Sequence, residues 1–188
     1  MLKSILTTSL TTSIYFKKTS EDIHMKCLKK IDSYLRSVPT YKFIILMVLL
    51  SYIVVLPLIP IAILFELDEI GGPDSVRESS YILEFILVVI IAPFLETLIF
   101  QTSVFYILNK FSFFKNRVVI IILISAMAFG MAHSYSTIYI LLGFVMGLVL
   151  AYAYHIYMQK KASSYKVVTL IHSIRNLLAF LLAFVEIA

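Results

Sequence analysis

The stretch FILVVIIAPFLETLIF, Phe85 to Phe100, contains one proline, Pro93, and one charged residue, Glu96. Apolar residues continue on both sides, over about 80–109, so the run exceeds the length of a bilayer span, about 20 residues. An acid at mid-span costs roughly 2.5–3.5 kcal/mol on insertion scales, so such a group turns toward a bundle interior and marks function. The stretch therefore predicts a long transmembrane helix that presents one polar side to neighbouring helices.

The rest of the chain agrees. Of its 188 residues, 61% are hydrophobic, where soluble domains average about half. Further apolar runs lie over about 41–65, 118–133, 137–158 and 166–188. None alternates in polarity, as the strands of an outer-membrane barrel must. The expected fold is all-α, a polytopic helical bundle of about five spans. Residues 1–40 form a basic cytoplasmic tail and residues 41–188 the transmembrane domain. Within the tail, EDIHMKCLKKIDSYLR (21–36) reads as an amphipathic helix on the membrane surface, its lysines drawn to anionic lipid. A merely solvated basic helix is the alternative. The first residues are too rich in Ser and Thr for a signal-peptide core. The single cysteine, Cys27, excludes an intramolecular disulfide.

Charge sets the expected orientation. Eight basic residues lie between Lys3 and Lys42, three between Lys110 and Arg117, and Lys160, Lys161 and Lys166 cluster before the last span. The connection after the first span is acidic, with Glu66, Asp68, Glu69, Asp74 and Glu78 against Arg77. By the positive-inside rule the basic segments are cytoplasmic and the chain is an integral protein of the cell (plasma) membrane. The net charge of +5 is thus a topology signal and gives no reason to expect nucleic acid.

The remaining polar residues of the spans are few. Glu96 lies in the second, His133 ends the third, and His172, Arg175 and Asn176 lie in the fifth. His172 and Asn176 are four apart and stack on one helical face, as do Thr97 and Gln101, and Phe129 and His133. A buried carboxylate needs partners, and two imidazoles with an amide can supply them. Arg175 is read as a long cation that snorkels to the surface. His24 and His155 read as ordinary core or interface histidines. Simple threading sets His133 at the outer end of its span and His172 about 9 Å in from the inner end of its own. The two meet only if the third span starts deeper or tilted helices converge.

These residues resemble the CPBP family of intramembrane endopeptidases (CAAX proteases and bacteriocin-processing enzymes, also called Abi). That family carries Glu-Glu-x-x-x-Arg, Phe-x-x-x-His and His-x-x-x-Asn/Asp on successive helices. Here the corresponding segments are ETLIFQ (96–101), FGMAH (129–133) and HSIRN (172–176), and the resemblance covers about 80–188. Thr97 stands where the second acid belongs and Gln101 where the arginine belongs. The pair is expected to act as a neutral, hydrogen-bonded substitute for an ion pair that is costly to bury.

The resemblance implies peptide-bond hydrolysis in a membrane-associated peptide or protein, with Glu96, His133, His172 and Asn176 as catalytic residues and Thr97 and Gln101 in support. Desolvated Glu96 is a better base than one in water and shares the nucleophilic water with His133. His172 and Asn176 point N–H groups at the oxyanion. No cofactor is required in this scheme. A zinc reading competes, with Glu96, His133 and His172 as ligands and water at the open position. A second function class is a catalytically silent membrane immunity or binding protein of the same fold, which the departures at Thr97 and Gln101 favour. A small transporter would call for repeat symmetry that the chain lacks.

Overall fold

The computed structural model describes residues 26, 29–64, 80–160 and 162–187. The chain forms two compact units, Met1–Val38 and Pro39–Ala188. In the first, residues 29–37 are helical, and Arg36 pairs with Asp32 one turn back, Nε to Oδ2 at 2.7 Å. The rest of the expected surface helix, His24 and the acidic connection at 66–79 lie outside the described residues.

The second unit is a bundle of helices. Four are long and apolar enough to cross a membrane: α1 (Thr40–Leu64), α2 (Tyr81–Leu108), α4 (Thr137–Met158) and α5, whose apolar span is Ser164–Ala183 within the helix Ser164–Ile187. Between them α3 (Val118–Ala132) has only 15 residues. At 1.5 Å per residue it covers about 22 Å, short of the ~30 Å hydrocarbon core. The third expected span is therefore a helix that ends inside the membrane thickness. This is the physical reason why simple threading misplaces His133.

Each break has a local cause. Pro57 lacks an N–H, and α1 loosens there into turns before resuming at Leu58. Ser80 caps α2, its hydroxyl accepting from the Leu83 N–H at 3.4 Å. Ser136 caps α4 in the same way through Tyr139 N–H at 3.2 Å, so α3 and α4 are joined by a tight turn.

Half of α4 is buried within the protein, against 17–22% of α1, α2 and α5. It is the central helix, and the outer faces of the others stay apolar, with Ile63, Ile82, Tyr106 and Leu182 exposed. An apolar exterior of this extent suits lipid rather than water. Cations stack on aromatic rings at the turns joining α2 to α3 and α4 to α5. Lys110 lies 4.1 Å from the Tyr106 ring centroid, Arg117 4.0 Å from Phe113 and Lys160 4.8 Å from Tyr157. Aromatic rings and long cations gather at membrane interfaces, so both turns mark one edge of the bundle.

Helices α3 and α4 approach most closely through small residues. Ala126 and Gly130 on α3 face Gly143 and Gly147 on α4. A Cβ on Gly147 would lie 2.8 Å from Ala126 Cα, and one on Gly130 2.8 Å from Phe144 N. Both collisions are with backbone, so the helices would have to separate. The signal in the sequence is the spacing Gly143-x-x-x-Gly147, the small-residue pattern of close membrane helix pairs. Gly147→Ala should destabilise the protein by about 1–3 kcal/mol, the usual cost of overpacking. Thermal unfolding in detergent measures it, and an unchanged midpoint would contradict the close crossing.

Candidate active site

Helix α2 carries the site and is irregular around it. Residues Ile86–Ile91 and Thr97–Ser103 are π-helical, on either side of a short α-helical piece, Ala92–Glu96. Pro93 accounts for the first widening, because it removes an N–H from the middle of the helix. The Ala92 N–H turns back to Leu87 O, five residues away.

Widening frees carbonyls, and neighbouring helices meet them. The Val104 N–H donates to Gln101 O and not to Phe100 O, its partner in a regular α-helix. Phe100 O accepts instead from Ser125 Oγ of α3 at 2.8 Å. Val88 O accepts from Asn176 Nδ2 of α5 at 3.0 Å. Phe94 O, which is not freed because the Thr97 N–H donates to it, takes an additional bond from the Tyr165 hydroxyl of α5 at 3.2 Å. In hydrocarbon no water is at hand to do this.

These ties bring three ionisable side chains together. Glu96 Oε1 lies 4.0 Å from His133 Nε2, and Oε2 lies 3.7 Å from His172 Nε2. The Phe129 ring packs between the imidazoles, 4.6 Å from His133 and 5.6 Å from His172 between centroids. Glu96 retains about a quarter of its side-chain exposure, while His172 is buried. The residues that simple threading kept apart thus converge. His133 reaches the site because α3 is short, and a Cβ on Gly143 would stand 3.2 Å from its own Cβ.

The hydrogen-bond network assigns different tautomers to the two rings. His133 Nδ1 lies 2.7 Å from Phe129 O, so it carries the proton and leaves the Nε2 lone pair facing Glu96. His172 Nδ1 is buried and has no partner among the described residues. An orphaned buried N–H is rarer than an orphaned acceptor, so the proton belongs on Nε2. Glu96 is then flanked by one acceptor and one donor. The gaps of 3.7 and 4.0 Å exceed a direct hydrogen bond and suit a shared water.

Two nitrogens and a carboxylate also form a zinc donor set by type. Bonds of about 2.0–2.2 Å to one ion would draw these atoms closer than they stand. No group of three His, Cys, Asp or Glu among the described residues has metal-holding geometry.

Three expectations need correction. Thr97 and Gln101 do not form a hydrogen-bonded pair. Both are fully buried, but Thr97 Oγ1 and both polar atoms of Gln101 have no partner among the described residues. They lie in the π-helical segment, whose i→i+5 register disturbs the i, i+4 stacking of a regular helix. Arg175 does not snorkel free. Its Nη1 donates to Asn176 Oδ1 at 3.4 Å, and its Cζ lies 5.8 Å from the Tyr52 ring. Asn176 is not a free donor, because one of its N–H groups is held by Val88 O. Sequence reading also missed Tyr139, whose ring lies 5.5 Å from that of His133. Its place at the start of α4, six residues on, was the available signal.

A buried amide without partners costs about 1–3 kcal/mol. Gln101→Met, which removes those polar atoms at similar volume, is expected to raise the thermal midpoint in detergent. A lower midpoint would show that Gln101 is bonded in the membrane-embedded protein.

The family model described as type II CAAX prenyl endopeptidase Rce1-like matches residues 78–178, just over half of the chain. No curated protein and no solved structure matches. The matched stretch includes Glu96, His172 and Asn176, which lie on helices of the bundle, and His133, which follows the last residue of α3. With its membrane-length helices and this match, the chain belongs to the Rce1-like family of CAAX-type intramembrane endopeptidases.

Proposed function

We propose that the protein is an active endopeptidase that hydrolyses a peptide bond of a membrane-associated protein or peptide. The observation that carries this reading is the placement of Glu96 between two imidazole nitrogens, at 3.7 and 4.0 Å. A water in that gap donates one hydrogen to the Glu96 carboxylate and the other to His133 Nε2. Its oxygen lone pair is then directed away from both, toward a scissile carbonyl carbon. Glu96 takes the proton as the C–O bond forms and passes it to the leaving amine as the C–N bond breaks. The developing oxyanion accepts from His172 Nε2–H. The substrate segment is extended there, because a helical backbone has its own carbonyls occupied. Zinc at the same three side chains would polarise the carbonyl and the water, and a chelator arm in the assay separates the two schemes.

Glu96→Gln keeps the shape and removes the base, so hydrolysis of a membrane peptide by purified protein should be lost. A Glu96→Gln variant as active as the native chain would leave the silent-binder reading in place. His172→Ala should lower the rate by about 10²–10³ while membrane insertion persists.

The proposed orientation puts the turns at 109–117 and 158–163 in the cytoplasm, following their cations. In a chain with Cys27 replaced by serine, Ser112→Cys should resist impermeant thiol reagents in intact cells and react after lysis. Labelling from outside would reverse the assignment.

A further inference from the structure

Pro93 leaves a specific hole in the hydrogen bonding of α2. The Ala92 N–H is committed to Leu87 O, in i→i−5 register. The next N–H in that register belongs to residue 93, and its acceptor is Val88 O. A proline has none to give. A carbonyl left unpaired in hydrocarbon costs several kcal/mol. Asn176 Nδ2 donates to Val88 O at 3.0 Å, from a helix 88 residues away in sequence. The other end of the same amide accepts from Arg175 Nη1 at 3.4 Å, which fixes the flip of the amide so that its nitrogen faces α2. Three residues beyond Pro93 comes Glu96, and one turn before Asn176 comes His172. The bond thus ties the carboxylate-bearing segment of α2 to the imidazole-bearing segment of α5, next to the place where their side chains approach.

We propose that Asn176 is a positioning residue. Its amide replaces the backbone hydrogen bond that Pro93 removes, and so holds Glu96 at its distance from His172. His172 is then the principal oxyanion donor of the two. The kinetic part of this inference rests on the peptidase reading; the hydrogen bond itself does not.

The test is a double-mutant cycle of Asn176→Leu with Pro93→Ala, read by thermal unfolding in detergent and by kcat and KM on a membrane peptide. Alanine restores an N–H at 93. The helix can then close the bond to Val88 or return to i→i−4, in which Ala92 serves Val88. Either way Asn176 becomes dispensable for that carbonyl. In the native background Asn176→Leu is expected to lower the midpoint by about 2–4 °C and kcat by tenfold or more, with KM little changed. In the Pro93→Ala background the thermal loss should vanish and kcat should recover most of the tenfold. Equal thermal losses in both backgrounds overturn the proposal. So does thermal recovery without recovery of kcat, since the bond would then be structural only. Asn176→Ser, too short to span to Val88, serves if the leucine variant does not insert. A fully active Glu96→Gln variant would remove the peptidase reading, and the thermal arm would still report on the bond.

Discussion

A proline in the middle of a membrane helix imposes the constraint on which the site depends. In water the carbonyl it orphans would be solvated at little cost. In hydrocarbon it must be met by the protein. Pro93 therefore obliges α2 to sit against a donor, and the second widened segment, Thr97–Ser103, repeats the demand a turn later. Asn176 and Ser125 answer it from α5 and α3. Those two helices also carry His172 and His133. Helix repair and site assembly are the same set of contacts.

Small residues do the complementary work. Gly130, Gly143 and Gly147 let α3 and α4 touch backbone to backbone, which leaves room for His133 beside Gly143. Phe129 fills the space between the imidazoles, and its carbonyl fixes the tautomer of His133. The chemistry of the site is thus set one layer back. A carbonyl on α3 makes one imidazole an acceptor toward Glu96, and the lack of a partner for buried Nδ1 among the described residues makes the other a donor. Arg175, three residues after His172, carries a positive charge that lies against Asn176 and the Tyr52 ring. The position Gln101 supplies no such charge, being neutral and without hydrogen-bond partners among the described residues.

Hydropathy alone determined the all-helical membrane architecture, because burying backbone in lipid permits few alternatives to helices. The helices begin and end within about two residues of where the apolar runs do. Glu96, His133, His172 and Asn176 were legible as a group, since polar side chains are conspicuous in such surroundings. The order of their motifs was enough to suggest the family. Tertiary structure alone decided their depth. Counting residues could not show that His133, at the end of α3, meets His172 across Glu96, nor that α2 widens twice and so breaks the i, i+4 relation between Thr97 and Gln101. The sequence showed that Asn176 is an amide on the same face as His172. Only the packing of α5 against the break at Pro93 decided what that amide binds, because the carbonyl it meets is freed by a residue on another helix, and a hydrogen bond between distant segments leaves no periodic trace in either one.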